Sequence, residues 1–440
     1  MNTFLRGTAI LIAAAFLSEC VEFLVNMQLA KELKEEGMGL YMSAMPIVFL
    51  IFILAGLELP ISISKYIAEH KRDTHLSLLK HALRLGLLST LFFIIVVAVA
   101  ASIPSALSRF PAHIHWLLFA LVPIAAFSSI ARGYFMGIQQ MSKIAVSNFL
   151  RKFVQLGLLV TIFSLFDTSI ETSLLIALGA LVGSELVVFL YLISFFLIHL
   201  HGLKTEMFTE LSGTQARQKL MAVSVPTIGL RIFQSFVNAV QPFLIQATLI
   251  RSGFTAVAAT EHFGMLMGVA MSVGFFPAFI AHSLMVALIP NVSDAFARLD
   301  AAKLHALLRQ TMWLTMLYGI VSVFVMQMFA EELSSLFFSS PAAAYYLKLL
   351  WPCFLFHFFI IPLQAYLIGV GLIKDAFLHS IWANSITFGA VFLLGSMPGL
   401  NMDGVIVGMN AGAVLQAFLH YLTVCKRIGM RSWMWAQKVS

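Results

Sequence analysis

Apolar and polar residues fall along this chain in long blocks, not in the short rhythms of a soluble protein. Apolar stretches recur near 4–27, 39–64, 82–103, 113–137, 148–167 and 172–199, and a second set follows near 221–249, 260–288, 310–330, 343–371, 376–396 and 403–425. Each is long enough to cross a hydrocarbon core of about 30 Å, which takes roughly 20 helical residues. Inside a bilayer only helices and closed barrels satisfy their own backbone groups, and the runs lack the polar–apolar alternation of barrel strands. The pattern predicts an all-α polytopic membrane protein of twelve spans.

Composition agrees with the pattern. Of 440 residues, 60% are hydrophobic and 11% charged, against roughly 45–50% apolar in soluble domains. Cys20, Cys353 and Cys425 all lie in apolar spans, which gives neither a disulfide framework nor metal-ligand spacing. Leu17-Ser18-Glu19-Cys20 faintly resembles a lipoprotein cleavage box, but Glu19 stands where such a box needs a small residue; the expectation is an uncleaved first helix. Lys and Arg in short loops mark the cytoplasmic side. With the amino terminus inside, twenty fall on inner segments and five (Lys31, Lys34, Arg109, Arg251, Lys348) outside, so both termini are expected in the cytoplasm. The net charge of +7 is then a product of topology. Anionic lipid headgroups are its natural partner, and nucleic acid is not implied.

The two sets of six spans resemble each other. Glu22-Phe-Leu-Val-Asn26 matches Gln234-Ser-Phe-Val-Asn238, Tyr134-Phe-Met-Gly137 matches Tyr366-Leu-Ile-Gly369, and the amphipathic segment Ser64 to Arg84 has its partner at Ser293 to Arg309. Six spans return the chain to its starting side, so two lobes related by a pseudo-two-fold along the membrane normal are expected. They are an N-lobe at 1–200, a cytoplasmic linker at 201–221, a C-lobe at 222–425 and a basic tail at 426–440.

At this point the residues carry a family likeness. Glu36-Gly-Met-Gly-Leu-Tyr41, Ala44-Met-Pro46, Leu59-Pro-Ile-Ser-Ile-Ser-Lys65, Arg132-Gly-Tyr-Phe-Met-Gly-Ile-Gln-Gln-Met141 and Ala145-Val-Ser147 resemble the stage V sporulation protein B branch of the polysaccharide flippases. That branch lies within the multidrug/oligosaccharidyl-lipid/polysaccharide exporter superfamily. The resemblance implies alternating access by two lobes that move a polyprenyl-pyrophosphate-linked saccharide between leaflets, in a spore-forming host. It also implies arginines at the places held here by Glu19 and Asn26, a glutamine at Met136 and a proline at Ser142; this chain departs at all four.

Charges within spans are costly, about 2.5–3.5 kcal/mol each at bilayer centre, and usually face a partner or a wet cavity. Glu19, Glu22 and Asn26 stack on one face of the first span at i, i+3, i+7, either pairing with a neighbouring helix or lining a cavity. Arg231, Gln234, Asn238 and Gln241 share a face of the seventh span between Pro226 and Pro242; the choice there is a polar seam or the cavity wall. Arg231 is the candidate for a substrate phosphate, since its planar fork matches phosphate oxygens. Aligning the repeats places Glu19 opposite Arg231, so the two are expected to neutralise each other. Arg132 is an interfacial anchor or a gate. Glu58 and Glu185 are packing acids with partners, or ion-coupling sites beside Glu19 and Glu22. Gly179-x-x-x-Gly183, Gly264-x-x-x-Gly268 and Gly404-x-x-x-Gly408 read as close helix crossings.

There is no nucleotide-binding loop and no nucleophile–base constellation, so neither an ATPase nor another enzyme is expected, and no cofactor or metal. The leading function is a saccharide-lipid flippase. The alternatives are an organic-cation antiporter driven by H+ or Na+, and a non-transporting membrane scaffold derived from a flippase.

Overall fold

The computed structural model describes residues 3–57, 59–69, 72–102, 113–166, 169–204, 213–337 and 340–429, and for 3–14, 68–69, 141, 202–204, 213–231 and 286–287 the backbone alone. Among the described residues all regular structure is helical. The elements are α1 (Thr3–Gly56), α2 (Leu59–Glu69), α3 (His75–Ser102), α4 (Ile114–Gly137), α5 (Met141–Leu165), α6 (Ile170–Lys204), α7 (Gly213–Arg251) and α8 (Ala256–Gly264). A π-helical turn at Met265–Ala270 leads into α9 (Met271–Phe275), α10 (Ala278–Ala297), α11 (Ala301–Met328), α12 (Ala330–Ser335), α13 (Pro341–Leu349), α14 (Trp351–Gly369), α15 (Ile373–Gly395) and α16 (Asn401–Arg427).

Eleven described helical stretches are long and apolar enough to cross a membrane. One of them, Ala15–Ile67, has 53 residues, more than twice what a bilayer needs. It holds the second half of the first expected span and the whole of the second, and α1 changes course at Lys34, which has φ 58° and ψ −169°. The eighth expected span is cut instead. Its α8, π-helical turn and α9 run as one stretch, and α10 begins anew after Phe276-Pro277. The outward faces are those of a protein solvated by lipid: on α3, Leu88, Leu91, Phe92, Ile95 and Val99 lie exposed in one stripe. A soluble monomer rarely leaves so large an apolar patch uncovered.

The chain packs as two compact units, one made of the described residues of 1–39 and 241–440, the other of 40–240. Their boundaries fall within α1 and α7, whereas the lobes expected from the sequence end in the loop region at 201–221. Of that region, 205–212 lies outside the described residues, with α6 running to Lys204 and α7 starting at Gly213.

Each unit has its own core, and the two cores are built alike. In the 40–240 unit Leu59, Ile63 and Ile67 pack with Ala131, Tyr134 and Phe135. In the other, Leu284, Leu288 and Val292 pack with Leu363, Tyr366 and Leu367. The last glycine of α4 fits the same contact as the last glycine of α14. A Cβ on Gly137 would meet Ile67 Cβ at 2.5 Å and Ser64 O at 3.1 Å, and one on Gly369 would meet Val292 Cβ at 2.8 Å and Ile289 O at 3.3 Å. The following turns also match: the N–H of Gln140 donates to Phe135 O at 2.9 Å, that of Leu372 to Leu367 O at 2.8 Å, with positive φ at Gln139 and Gly371. One constant spacing therefore relates α4–α5–α6 to α14–α15–α16. The Tyr-x-x-Gly repeat visible in the sequence is the sequence trace of this packing.

Of the expected helix crossings, two are close. Gly264 lies against Glu35 and Gly39, and Gly268 against Met38; Gly404 and Gly408 lie against the backbone of Leu394 and Val391. The third is corrected: nothing stands within 4 Å of a Cβ on Gly179, and Gly183 meets only a Leu158 methyl, at 3.2 Å.

Candidate functional site

In the 40–240 unit, α4, α5 and α6 bring charged side chains together inside the membrane-crossing part. α5 carries Asn148, Arg151 and Gln155 on one face, spaced i, i+3, i+7, opposite the face where Phe149 and Phe153 lie exposed and stacked. Arg132 of α4 donates from Nη1 to Asn148 Oδ1 at 2.9 Å. Arg151 Nε stands 3.7 Å from Glu185 Oε1 of α6, an ion pair too long to be a hydrogen bond. Arg132 Nε and Glu185 Oε2 are buried without a hydrogen-bond partner, and Gln155 is buried beside them on α5. One carboxylate thus stands near two guanidinium groups, and Arg132 keeps its Nε without a partner. Near the start of α5, Lys143 Nζ sits over the rings of Phe135 and Phe195, at 4.5 and 4.2 Å.

The first-span stripe lies elsewhere, in the unit of 1–39 and 241–440. Glu19, Glu22 and Asn26 are half-buried on α1. They are flanked by Phe16, which packs on Phe276 and Phe279, and Phe23, which packs on Phe276 and Phe337 at 5.3 and 5.1 Å between ring centres. Phe23 also borders an apolar hollow of about 350 Å³ closed by Phe276, Val325 and Leu333. Gln28 Nε2 donates to Glu32 Oε1 at 3.1 Å one turn further on.

On α7, Gln234 and Asn238 are exposed and joined by a 3.2 Å hydrogen bond from Gln234 Nε2 to Asn238 Oδ1, while Gln241 is half-buried. Arg231 has its backbone in α7, but its side chain lies outside the described residues, as does Glu58 altogether. The expected Glu19–Arg231 contact therefore stays a proposal. Arg132 and Glu185 are brought to one seam. The sequence reading missed Arg151 as their partner, because it started the fifth span near 148 and counted Arg151 among inner-loop charges. α5 begins at Met141, so Arg151 stands almost three turns inside. The i, i+3, i+7 spacing of Asn148, Arg151 and Gln155 was the available signal.

The histidines form no metal site: among the described residues no three His, Cys, Asp or Glu side chains cluster for a metal. Two polar contacts do involve them. His379 Nδ1 lies 3.0 Å from His420 Nδ1 between α15 and α16, and His262 Nδ1 lies 2.6 Å from Tyr346 Oη. On the surface of the same unit a hollow of about 530 Å³ is lined by Tyr345, Ser340 and the Lys348–Glu331 pair, 3.2 Å apart.

Comparison with known proteins places this geometry. A family described as polysaccharide biosynthesis protein matches residues 4–296, and the MatE family matches residues 226–392. The chain is 47% identical over 428 residues to sporulation protein YkvU of Bacillus subtilis (strain 168), covering 97% of this chain and 96% of that protein. It is 33% identical over 440 residues to stage V sporulation protein B of the same organism, covering 97% and 84%. Among solved structures, an inward-facing multidrug resistance MATE family transporter of the MOP superfamily superposes with a TM-score of 0.75 at 16% identity, covering 96% of this chain and 98% of that one. A MOP superfamily transporter from Pyrococcus furiosus, whose binding pocket is described as reversed in polarity, gives 0.68 at 15%, covering 97% and 96%. At such identities the structural likeness speaks for the two-lobe fold.

Proposed function

Because this chain belongs to the polysaccharide biosynthesis protein family, we propose that it is an alternating-access transporter that flips a polyprenyl-pyrophosphate-linked saccharide across the cell membrane, in the making of the spore envelope. The observation that carries this reading is the match of that family over residues 4–296 of a chain whose helices are built to cross a bilayer. The names of the two Bacillus subtilis relatives supply the sporulation context. The MATE-like fold supports two lobes that open alternately to either side. In this reading the protein performs no covalent chemistry; it shields a charged, hydrated headgroup from hydrocarbon while the prenyl chain stays in lipid.

The lobes are assigned to 1–200 and 222–425, with both termini cytoplasmic. Arg231, Gln234, Asn238, Gln241, Glu19, Glu22, Asn26 and Arg132 form the proposed headgroup path, and H+ or Na+ is the proposed coupling ion. A second reading, antiport of an organic cation, draws on the MatE match at 226–392 and on Glu19 and Glu22. The two readings diverge in cells that depend on this chain. Its depletion should trap the lipid-linked saccharide in the inner leaflet, hidden from an impermeant glycan-oxidising label until the cells are opened. If the saccharide stays fully labelled from outside while organic cations accumulate inside, the antiporter is the correct reading.

A further inference from the structure

The charged seam of α4, α5 and α6 has an internal control in the repeat. The spacing that carries Gly137 to Gly369 carries Arg132 to Gln364, Asn148 to Ser380, Arg151 to Ala383 and Glu185 to Ala417. In α14, α15 and α16 the same seam is closed by neutral groups: Ala383 and Ala417 are buried, and Ser380 Oγ accepts from Gln416 Nε2 at 3.1 Å. The fold therefore closes this three-helix junction without charge. At about 2.5–3.5 kcal/mol for each charge in the membrane, three charged side chains here call for a reason other than packing.

Their geometry supplies one. A closed salt bridge would satisfy both partners, yet Glu185 reaches Arg151 with a single contact of 3.7 Å and keeps its other oxygen without a donor. Arg132 spends one N–H on the neutral Asn148 amide and holds its Nε unpartnered. The group carries one net positive charge, with Asn148 exposed at its rim and Glu185 largely buried behind it. An anion with several oxygens fits it: one oxygen for each guanidinium, in charge-assisted hydrogen bonds, and one for the Asn148 amide. A phosphate has that shape and that charge.

We propose that Arg132, Asn148 and Arg151 form a phosphate subsite for the carrier lipid's pyrophosphate, and that Glu185 is a built-in competitor holding Arg151 until the phosphate displaces it. This rests on the flippase reading for the identity of the phosphate's owner. A carboxylate competitor keeps an otherwise strong anion site weak enough to release its cargo. The subsite differs from the Arg231 stripe in helix, and from the first-span stripe in helix, in charge and in compact unit.

The test uses the full-length protein in detergent, with labelled undecaprenyl pyrophosphate as the probe and thermal stability measured alongside. Arg151→Gln and Arg132→Gln are expected to weaken binding about tenfold or more, the loss of one charge-assisted contact. Glu185→Gln, which keeps the shape and removes the competitor, is expected to tighten it several-fold. Inorganic pyrophosphate should compete with the same ranking of variants, and an excess of phosphatidylglycerol should not compete. A Glu185→Gln that weakens binding or leaves it unchanged, or arginine variants that bind as well as wild type at intact stability, would overturn the proposal. Displacement by phosphatidylglycerol would overturn the carrier assignment, marking a site for ordinary membrane lipid. Leaflet exchange by the wild-type protein is measured separately. Exchange with unaltered binding in the variants removes the subsite and leaves the flippase, whereas no exchange removes the flippase whatever the binding shows.

Discussion

Alanine at Gly137 or Gly369 tests whether the two halves share one packing design. The new Cβ at Gly137 would stand 2.5 Å from Ile67 Cβ and 2.6 Å from its Cγ2, and the one at Gly369 2.8 Å from Val292 Cβ and Cγ1. Carbon atoms attract best at about 3.5–4.0 Å, so each helix end has to move by about 1 Å. Overpacking of this kind costs about 1–3 kcal/mol, from which about 0.5–1 kcal/mol is recovered because alanine loses less backbone freedom than glycine. Gly157 in α5 and Gly389 in α15 are the matched controls, since nothing lies within 4 Å of their Cβ positions; there the alanine gain stands alone. At about 2–4 °C per kcal/mol for domains of this size, Gly137→Ala and Gly369→Ala should lower the apparent melting temperature by several degrees. Gly157→Ala and Gly389→Ala should raise it slightly. Fluorescence-detected size-exclusion after heating of tagged protein reads this difference. If all four variants melt with the wild type, or if only one of the two packed glycines responds, the equivalence of the α4 and α14 ends is refuted.

Cysteines at Arg72, just before α3, and at Ala301, at the start of α11, both exposed, should resist an impermeant maleimide added from outside and react once the membrane is opened; labelling of either from outside contradicts the proposed orientation. Arg231→Lys should keep part of the transport activity and Arg231→Gln little, because lysine keeps the charge and loses the fork; equal, near-normal activity in both removes Arg231 from the path. His379→Leu leaves the fully buried His420 ring without its 3.0 Å partner and should cost about 1–3 kcal/mol, as an unsatisfied buried polar group does. Adding His420→Val, the residue type at the equivalent Val188, should recover most of that loss in a thermal unfolding scan; a double variant less stable than the single one would contradict this.

Much of the fold is legible in the sequence because the bilayer imposes one rule, long apolar helices, and the chain obeys it. The repeat is legible for a narrower reason. Tyr134 and Gly137, like Tyr366 and Gly369, sit where a large ring and a missing side chain are both needed in a close contact, and such positions resist drift. What breaks or joins helices is less visible. Nothing about Lys34 announces a change of course, and although Gly264-x-x-x-Gly268 marks a close crossing, it does not announce the π-helical turn at Met265–Ala270 or that the partner is Glu35, Met38 and Gly39 of α1. Pro277, by contrast, does stand where α10 begins. The charged seam shows why sites are harder still. Glu185 was readable as an acid in need of a partner, but the partner, Arg151, comes from another helix, and finding it required knowing where α5 starts. Glu19, Glu22 and Asn26 share a face as their spacing requires, yet spacing says nothing about what that face meets.

The central claim is that this chain carries a lipid-linked saccharide across a bilayer. Purified protein is reconstituted into vesicles holding a fluorescent polyprenyl-pyrophosphate saccharide in both leaflets, and an impermeant quencher is added outside. Without transport about half of the fluorescence is protected. With active protein the protected fraction should drain away, more slowly in Arg151→Gln and Arg132→Gln vesicles. A protected fraction that stays at the level of protein-free vesicles, with the protein shown to be inserted and folded, would contradict the account.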